Sequence, residues 1–576
     1  MMKKTMKALM LILCVLFFEP EAQSQTASEA SRYDVIISEI MAKPSPGVGL
    51  PPVEYVELHN RLPRPCKLRN WRLTLGNTTK NLPEITLDSC GYVVLIAQKF
   101  AEEFAPYCDQ VATLSSLAVT DGGQALTLLD ERGEVIHHVC FKSTWHAERI
   151  KQDGGWSLEM IDAAWPCAGP WNWGSSTDPL GGTPGRPNSI RCALEDNNIP
   201  CISGVTMLDT CTLRVHFSKT LDFPEGEVAL RLQTDPSLEI TSASEVPPEF
   251  ASIDIRFGKA PLNGKTYTLQ LAGELPDCGT NVFHVETSTA FGIAAKPTYN
   301  SMVINEILTN PMDGEAGDYL EIFNRSDQIV DLKDVKIGYG GDTLPQKAVT
   351  AFPKGRQLPP LRYAVLCRDR TATMQQYYCK DASSLIPCDS LPDFAIGHGI
   401  IHLTDKSLRC IDRFEYMEEM HYPKLLTTKG VALERLYANH PTQDENNWRS
   451  AAESAGFGTP GYENSQQGNA LPRDEIHVEP EVFSPDNDGF QDFSEFIFRF
   501  NDTENRVNII LLNHYGAPVK HLVNNVLCGT EANFRWDGDN DDGHPLPAGM
   551  YVADIDYWNL RSKSRSRTRK VVSIYR

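Results

Sequence analysis

Ile37-Ser38-Glu39-Ile40, followed after a short break by Glu54-Tyr55-Val56-Glu57-Leu58-His59-Asn60, occurs twice in this chain. The second copy is Ile304-Asn305-Glu306-Ile307, then Asp318-Tyr319-Leu320-Glu321-Ile322-Phe323-Asn324. Each copy ends on a matching tail: Gly182-Thr183-Pro184-Gly185 with Asn188-Ser189, and Gly458-Thr459-Pro460-Gly461 with Asn464-Ser465. A long internal duplication sets the architecture before any single element is assigned.

Alternation gives each copy its local structure. Glu54, Val56, Leu58 and Asn60 share one strand face, and Tyr55, Glu57 and His59 share the other. Leu320 and Ile322 occupy the first face in the second copy, so these aliphatics are expected to face a core. Asn60 and Asn324 are expected to end their strands, where an Asn side chain bonds the turning backbone. Further strands are expected at Arg72–Leu75, Tyr92–Ile96 and Ala125–Leu129, with one short helix over Lys99–Tyr107. Many short strands broken by Gly, Pro and Asn form the pattern of a β-sandwich.

These residues resemble a known family. The I-x-E-I opening with E/D-Y-x-E-L/I-x-N is similar to the lamin-tail domain, an Ig-type β-sandwich of nuclear lamins and of many exported bacterial proteins. Asn172-Trp173 and Asn447-Trp448, with the G-T-P-G-x-x-N-S closings, resemble the bacterial branch. Residues 33–190 and 299–466 are the two copies. Residues 196–294 resemble a bacterial Ig-like domain through Val215-His216-Phe217-Ser218 and Tyr267-Thr268-Leu269-Gln270-Leu271. Residues 476–576 resemble a FlgD-type Ig-like domain through Phe483-Ser484-Pro485-Asp486, Trp536-Asp537-Gly538 and Pro547-Ala548-Gly549-Met550-Tyr551. Such modules close many exported bacterial proteins, some linked to gliding and type IX secretion. The expected fold is all-β, four Ig-like sandwiches in series.

Length and composition agree. A chain of 576 residues is too long for one core. A net charge of -21 argues against broad nucleic-acid binding. Residues 1–24 read as a signal peptide: Lys3, Lys4 and Lys7, an apolar run from Ala8 to Phe18, and cleavage after Ser24. A lipid anchor on Cys14 is the alternative, against which stands the bulky Leu13 before it. No later stretch is apolar enough to span a bilayer. Of fifteen cysteines Cys14 falls in the leader, leaving an even number in an exported chain. Cys66 with Cys90, and Cys201 with Cys211, are candidate pairs, and Cys528 a candidate free, buried thiol. No C-x-x-C occurs.

Four carboxylates recur in the duplicated motif: Glu39, Glu57, Glu306 and Glu321. Paired acids on neighbouring strands are the raw material of glycoside hydrolysis. Here they lack a repeated His or Ser partner and mark the fold, so a structural role is expected, with Asn60 and Asn324 beside them. Asp486, Asp488 and Asp492 around Gly489 are spaced as oxygen ligands, which makes calcium the candidate cation. Asp537, Asp539 and Asp541 form a second acidic run. His138 and Cys140 share a strand face beside His137, a two-ligand edge without a third ligand nearby. Gly258–Thr266 departs from the phosphate-loop spacing and is expected to be a hairpin turning at Asn263-Gly264. Arg565, Arg567 and Arg569 alternate along one strand face, expected to be a charged edge that blocks aggregation; the functional alternative is attraction to an acidic envelope component.

The resemblance implies an exported, non-catalytic protein of the cell surface, extracellular space or periplasm. It would act as scaffold or adhesin-like module on a surface protein or polysaccharide. The alternative is an accessory binding subunit of an extracellular hydrolase system acting on polysaccharide or nucleic acid.

Overall fold

The computed structural model describes residues 30–195, 199–223, 227–279, 281–312, 317–388, 390–467 and 473–575. The expected leader lies outside them. Among the described residues no helix is long and apolar enough to cross a membrane. The protein is all-β, built of Ig-like sandwiches.

The first sandwich contains β1 (Val35–Met41), β2 (Tyr55–Asn60), β3 (Cys66–Lys67), β4 (Arg72–Leu75), β5 (Thr78–Asn81), β6 (Thr86–Leu87), β7 (Tyr92–Ala97), β8 (Val111–Leu114), β9 (Gly123–Leu129), β10 (Val135–Lys142), β11 (Leu158–Met160) and β12 (Trp173–Ser175). One sheet runs β12-β11-β1-β2-β7-β8 and the facing sheet β10-β9-β4-β5. Only β7 and β8 pair in parallel in these two sheets. The duplicate repeats this order strand for strand. Trp448–Ser450, Leu433–Arg435, Met302–Leu308, Tyr319–Asn324, Tyr363–Cys367 and Leu385–Pro387 form its six-stranded sheet, again with a parallel last pair. Val56 and Leu58 lie in one core, Leu320 and Ile322 in the other.

The I-x-E-I spacing has a mechanical cause. Ile37 pairs with Leu58 and Glu39 with Glu57, so Ser38 is an extra residue, a β-bulge. The bulge restores both Ile37 and Ile40, three positions apart, to the core. It sends Ser38 and Glu39 together to the outer face. Asn305 is the same extra residue in the second copy. That outer face is not left to solvent. Tyr55, Val94, Ile96 and Phe104 pack there as a second apolar layer, which is why every residue of β1 is buried. The predicted helix supplies part of the cover, as a single turn at Ala101–Phe104 between two 3-10 turns.

Asn60 and Asn324 close their strands in the same way. The Asn60 amide donates to the carbonyls of Arg64 (2.9 Å), Leu87 (3.2 Å) and Asp88 (2.8 Å). Its Oδ1 accepts from Leu62 N–H at 3.1 Å. Asn324 donates to Gln328, Leu358 and Pro359 and accepts from Ser326 N–H.

Two expectations fail on geometry. Asn263-Gly264 is a turn, with Gly264 at φ 71°, but it is no hairpin. It joins Ser252–Phe257 in the four-stranded sheet of the second sandwich to Tyr267–Pro276 in the three-stranded one. The expected disulfides also fail. Cys201 and Cys211 flank opposite ends of a ladder running from Ile202↔Phe217 to Met207↔Leu213. That separates them by roughly 17 Å of strand, against the ~6 Å a disulfide spans. Cys66 points into the core while Cys90 is exposed, its backbone N–H held by the Leu62 carbonyl. The bridge present joins Cys167 to Cys278, from the first sandwich to the second. Cys528 is a free, buried thiol that burial pushes up to about 12.

The last sandwich explains its own motif. Phe483, Trp536 and Tyr551 come from the three motif segments and meet in the core, both flanking rings 5.4 Å from Trp536. Gly538 follows at φ 74°, where a Cβ would meet Pro485 at 3.1 Å.

Asn60→Ala would take the side-chain donor from three buried or half-buried carbonyls, of which that of Asp88 keeps the Gly91 N–H. We expect a stability loss of about 1–3 kcal/mol in urea unfolding, reproduced by Asn324→Ala. A loss below ~0.5 kcal/mol for both, the ordinary range of surface substitutions, would remove the strand-closing role.

Candidate functional site

The recurring carboxylates converge beneath the closing tails, each joined there by a third that sequence reasoning missed. Glu39 pairs across β1 with Glu57 on one side and Glu159 on the other. Glu306 pairs likewise with Glu321 and Glu434. All six are 0 % exposed. The missed pair had a signal: Ser157-Leu158-Glu159-Met160 and Ala432-Leu433-Glu434-Arg435 recur at matching positions of the two copies.

The tail supplies much of what these acids bond. Glu39 Oε1 accepts from the Tyr55 hydroxyl (2.6 Å), the Ser157 hydroxyl (2.6 Å) and Thr183 N–H (2.8 Å). Glu57 accepts from the Ser38 hydroxyl and from Gly185 N–H, both at 2.7 Å. Glu159 accepts from the Ser189 hydroxyl (2.8 Å) and Ile190 N–H (3.2 Å). The second copy repeats the scheme: Thr459 N–H to Glu306, Gly461 N–H to Glu321, Ser465 hydroxyl and Gln466 N–H to Glu434. Gly185 and Gly461 have φ of 79° and 88°. A Cβ there would strike Cys108 Sγ at 2.6 Å or Ser384 Oγ at 2.1 Å. The G-T-P-G sequence is therefore what lets backbone N–H groups reach buried acids.

One hydroxyl determines the protonation. Thr183 Oγ1 lies 3.3 Å from Glu39 Oε2 and 3.0 Å from Glu159 Oε1. Thr459 Oγ1 lies 2.9 Å from Glu306 and 2.8 Å from Glu434. A hydroxyl has one proton to donate, so one acid of each pair brings its own. Burial, then the charge of Glu159, pushes Glu39 up to about 7. Burial, then Glu434, pushes Glu306 up to about 8. Burial also raises Glu57, Glu321 and Glu434. A protonated Glu39 or Glu306 donating to its threonine, which donates onward, satisfies every group with neutral donors. With no solvent exposure, these six carboxylates open to no cleft.

Other sequence candidates are distributed differently. His137 lies inside, where Nδ1 accepts Ile37 N–H, freed by the bulge, at 3.0 Å. Nε2 therefore carries the proton and donates to the Pro166 carbonyl at 3.2 Å, and burial pushes this ring down to about 4. In the second copy Asp412 takes that place, accepting Ile304 N–H at 2.8 Å. His138 is half-buried with Nδ1 2.8 Å from Thr127 Oγ1, and Cys140 is exposed. Among the described residues no third ligand joins them, and Asp486, Asp488 and Asp492 form the group whose ligand atoms lie within 4.8 Å of one another. In that loop Asp486 accepts Asp488 N–H (3.2 Å), Asp488 accepts Phe490 N–H (2.8 Å) and Asp492 Oδ2 accepts Gly489 N–H (2.9 Å). Asp492 Oδ1 is buried without a partner. Asp537, Asp539 and Asp541 are instead spent singly on Arg535, Lys520 and His521.

Arg565, Arg567 and Arg569 lie on Ser564–Ile574, whose outer neighbour, Val482–Phe483, pairs only with Ser573 and Ile574. The arginine stretch is thus an open edge. Its charges are answered by Asp556 and Asp554 on the adjacent strand, which weakens it as a docking face for acidic polymers.

Folded Glu306 keeps a proton that an unfolded glutamate releases between pH 4.5 and about 8. Its contribution to stability is therefore full below pH 4.5 and lost as pH rises through about 8. Subtracting the urea midpoints of Glu306→Gln from those of the parent should leave a difference that declines across that window. A difference that climbs with pH would contradict the shared-proton arrangement. Thr459→Val should cost about 1–3 kcal/mol by stripping a donor from buried acids.

The family described as Lamin Tail Domain matches residues 28–143, a stretch that holds Glu39 and Glu57 but stops before Glu159 and the closing tail. No curated protein matches the chain. Among solved structures, the N-terminal part of the bacterial S-layer protein SbsC is 15% identical over 38% of this chain and 44% of its own, with a TM-score of 0.16. This chain thus spans less than half of that protein's length. PorZ, a surface component of the type-IX secretion system of Porphyromonas gingivalis, is 9% identical over 87% of this chain and 75% of its own, TM-score 0.16. Dimeric latent PorU from the same organism is 10% identical over 70% and 35%, TM-score 0.14. Scores this low carry no functional argument; the lamin-tail match carries the family likeness of the first sandwich.

Proposed function

We propose that this chain is an exported, non-catalytic cell-envelope protein that works by contact, as a scaffold or adhesin-like module for a surface protein or polysaccharide. The observation that carries this reading is the burial of its recurring acids. The residues most like an acid–base pair are consumed in holding the closing tails, out of reach of any substrate. We read residues 299–466 as a second lamin-tail domain, supported by the identical strand order and by matching acids, hydroxyls and glycines. We read 476–576 as the FlgD-type closing module, supported by its aromatic trio.

Contacts between successive sandwiches support a spacer that holds its loops in fixed relation. Cys167 is bonded to Cys278. Arg32 bonds both Asp222 and Glu245 at 2.9 Å. Gln357 exchanges two hydrogen bonds with the Gly292 backbone. Glu504 faces Arg449 at 3.4 Å across the last junction. Protease shaving of intact producing cells should release fragments of this chain. Full protection in intact cells, with digestion only after lysis, would overturn a surface location.

We assign the Asp486, Asp488 and Asp492 loop to calcium, on the convergence of its oxygens and the unpartnered Asp492 Oδ1. Calcium takes such carboxylates in flexible geometry. Binding to the folded state alone raises the melting temperature with the logarithm of free ion above its dissociation constant. Millimolar calcium should raise the melting of the last sandwich in the full chain relative to chelator, and Asp488→Ala should abolish the rise. An unchanged midpoint leaves only the turn bonds already described.

A further inference from the structure

A cleft of about 480 Å³ opens where the first sandwich meets the second. Its lining is rich in rings and prolines. Tyr33, Trp145 and Trp173 come from the first sandwich, and Pro248 and Phe250 from the second. The volume falls in the range of small-molecule sites, which favour junctions between modules.

Three independent features set this cleft apart from a packing defect. First, its walls are tied. Cys167 lines it and is covalently joined to Cys278 of the opposite module. Arg32 reaches across to Asp222 and Glu245, with its guanidinium 3.6 Å over the Phe250 ring. The two walls are therefore held to one another beside the gap. Second, each wall carries a strained aromatic residue. Tyr33 has φ 67° and Phe250 φ 52°, left-handed conformations that bulky aromatic residues rarely adopt. Such strain persists where surroundings hold it, and it gathers at binding sites. Third, a polar handle is present in the aromatic lining. His138 has Nδ1 committed to Thr127, which leaves Nε2 for a ligand, and burial pushes its pKa down.

The charge pattern selects the ligand. Arg32 is already matched by two carboxylates, and the remaining charged lining residues, Lys142 and Glu249, have opposite signs. Nothing favours an ion of either sign. Ring faces and edges favour a planar aromatic partner.

We propose that this cleft is a binding site for a small, uncharged aromatic molecule carrying one hydrogen-bonding group, which meets His138. The site is separate from the surface contacts proposed above and does not depend on them.

The probe is N-phenyl-1-naphthylamine, neutral, aromatic and bearing one N–H, whose fluorescence rises in apolar surroundings. Titrated against the full chain it should bind saturably, one per molecule. Cys140→Trp, at an exposed position lining the cleft, fills the space without touching the core and should weaken binding at least tenfold. His138→Ala should weaken it several-fold, and Trp558→Ala, on the last sandwich, should leave it unchanged. Circular dichroism and melting identify any variant that fails to fold. Non-saturable binding, or saturable binding that Cys140→Trp leaves intact, would overturn the proposal.

Discussion

The duplicated fold depends on hiding charge-capable groups beneath a sheet and supplying them with donors from the far end of the module. A six-stranded sheet with both faces covered needs a second layer. Here that layer combines the apolar cluster around Phe104 with the chain's own closing segment. Three buried glutamates would be ruinous without partners. The tail's N–H groups and hydroxyls provide them, and a shared proton lessens the remaining repulsion. The arrangement fixes register as well as closure, because each donor matches one acid on one strand. A slip by one residue would send the acids into the core and the isoleucines outward.

The two copies show which parts of this scheme are negotiable. Ser38 in the first becomes Asn305 in the second; both are the bulged residue, and both donate to the neighbouring glutamate. The change ripples outward. Asn464 Oδ1 gains a bond from Asn305, whereas Asn188 Oδ1 has none. The amide freed by the bulge is capped by neutral His137 in one copy and by Asp412 in the other, where Thr442 and Arg435 gather around the added charge. The six glutamates, the threonines and the glycines do not vary between copies.

Much of this was legible in the chain. Repetition announced the duplicated sandwich, and alternation placed Val56, Leu58, Leu320 and Ile322 in the core. Glu39, Glu57, Asn60 and their duplicates were marked by recurrence alone. What eluded the sequence was whatever depends on pairing between distant segments. Glu159 lies on a three-residue strand too short to alternate visibly. Asn263-Gly264 has hairpin chemistry, but the sandwich routes the chain to its other sheet. Cys167 and Cys278 are 111 positions apart, so spacing gives no hint of their bond. The bulge at Ser38 is hardest of all, since three-residue isoleucine spacing fits no regular strand.

The position of the closing tail has a consequence for the order of events during biogenesis. Glu39 and Glu57 emerge early, but their Thr183 and Gly185 partners are 144 and 128 residues downstream. Until those residues arrive, the first strands can pair with one another but cannot seal their outer face. Contacts of such long separation form late and slowly. Each copy of the duplicated module can thus complete its closure only when its final turn arrives. A chain built this way stays pliable while a module is incomplete and stiffens only once its last turn is in place.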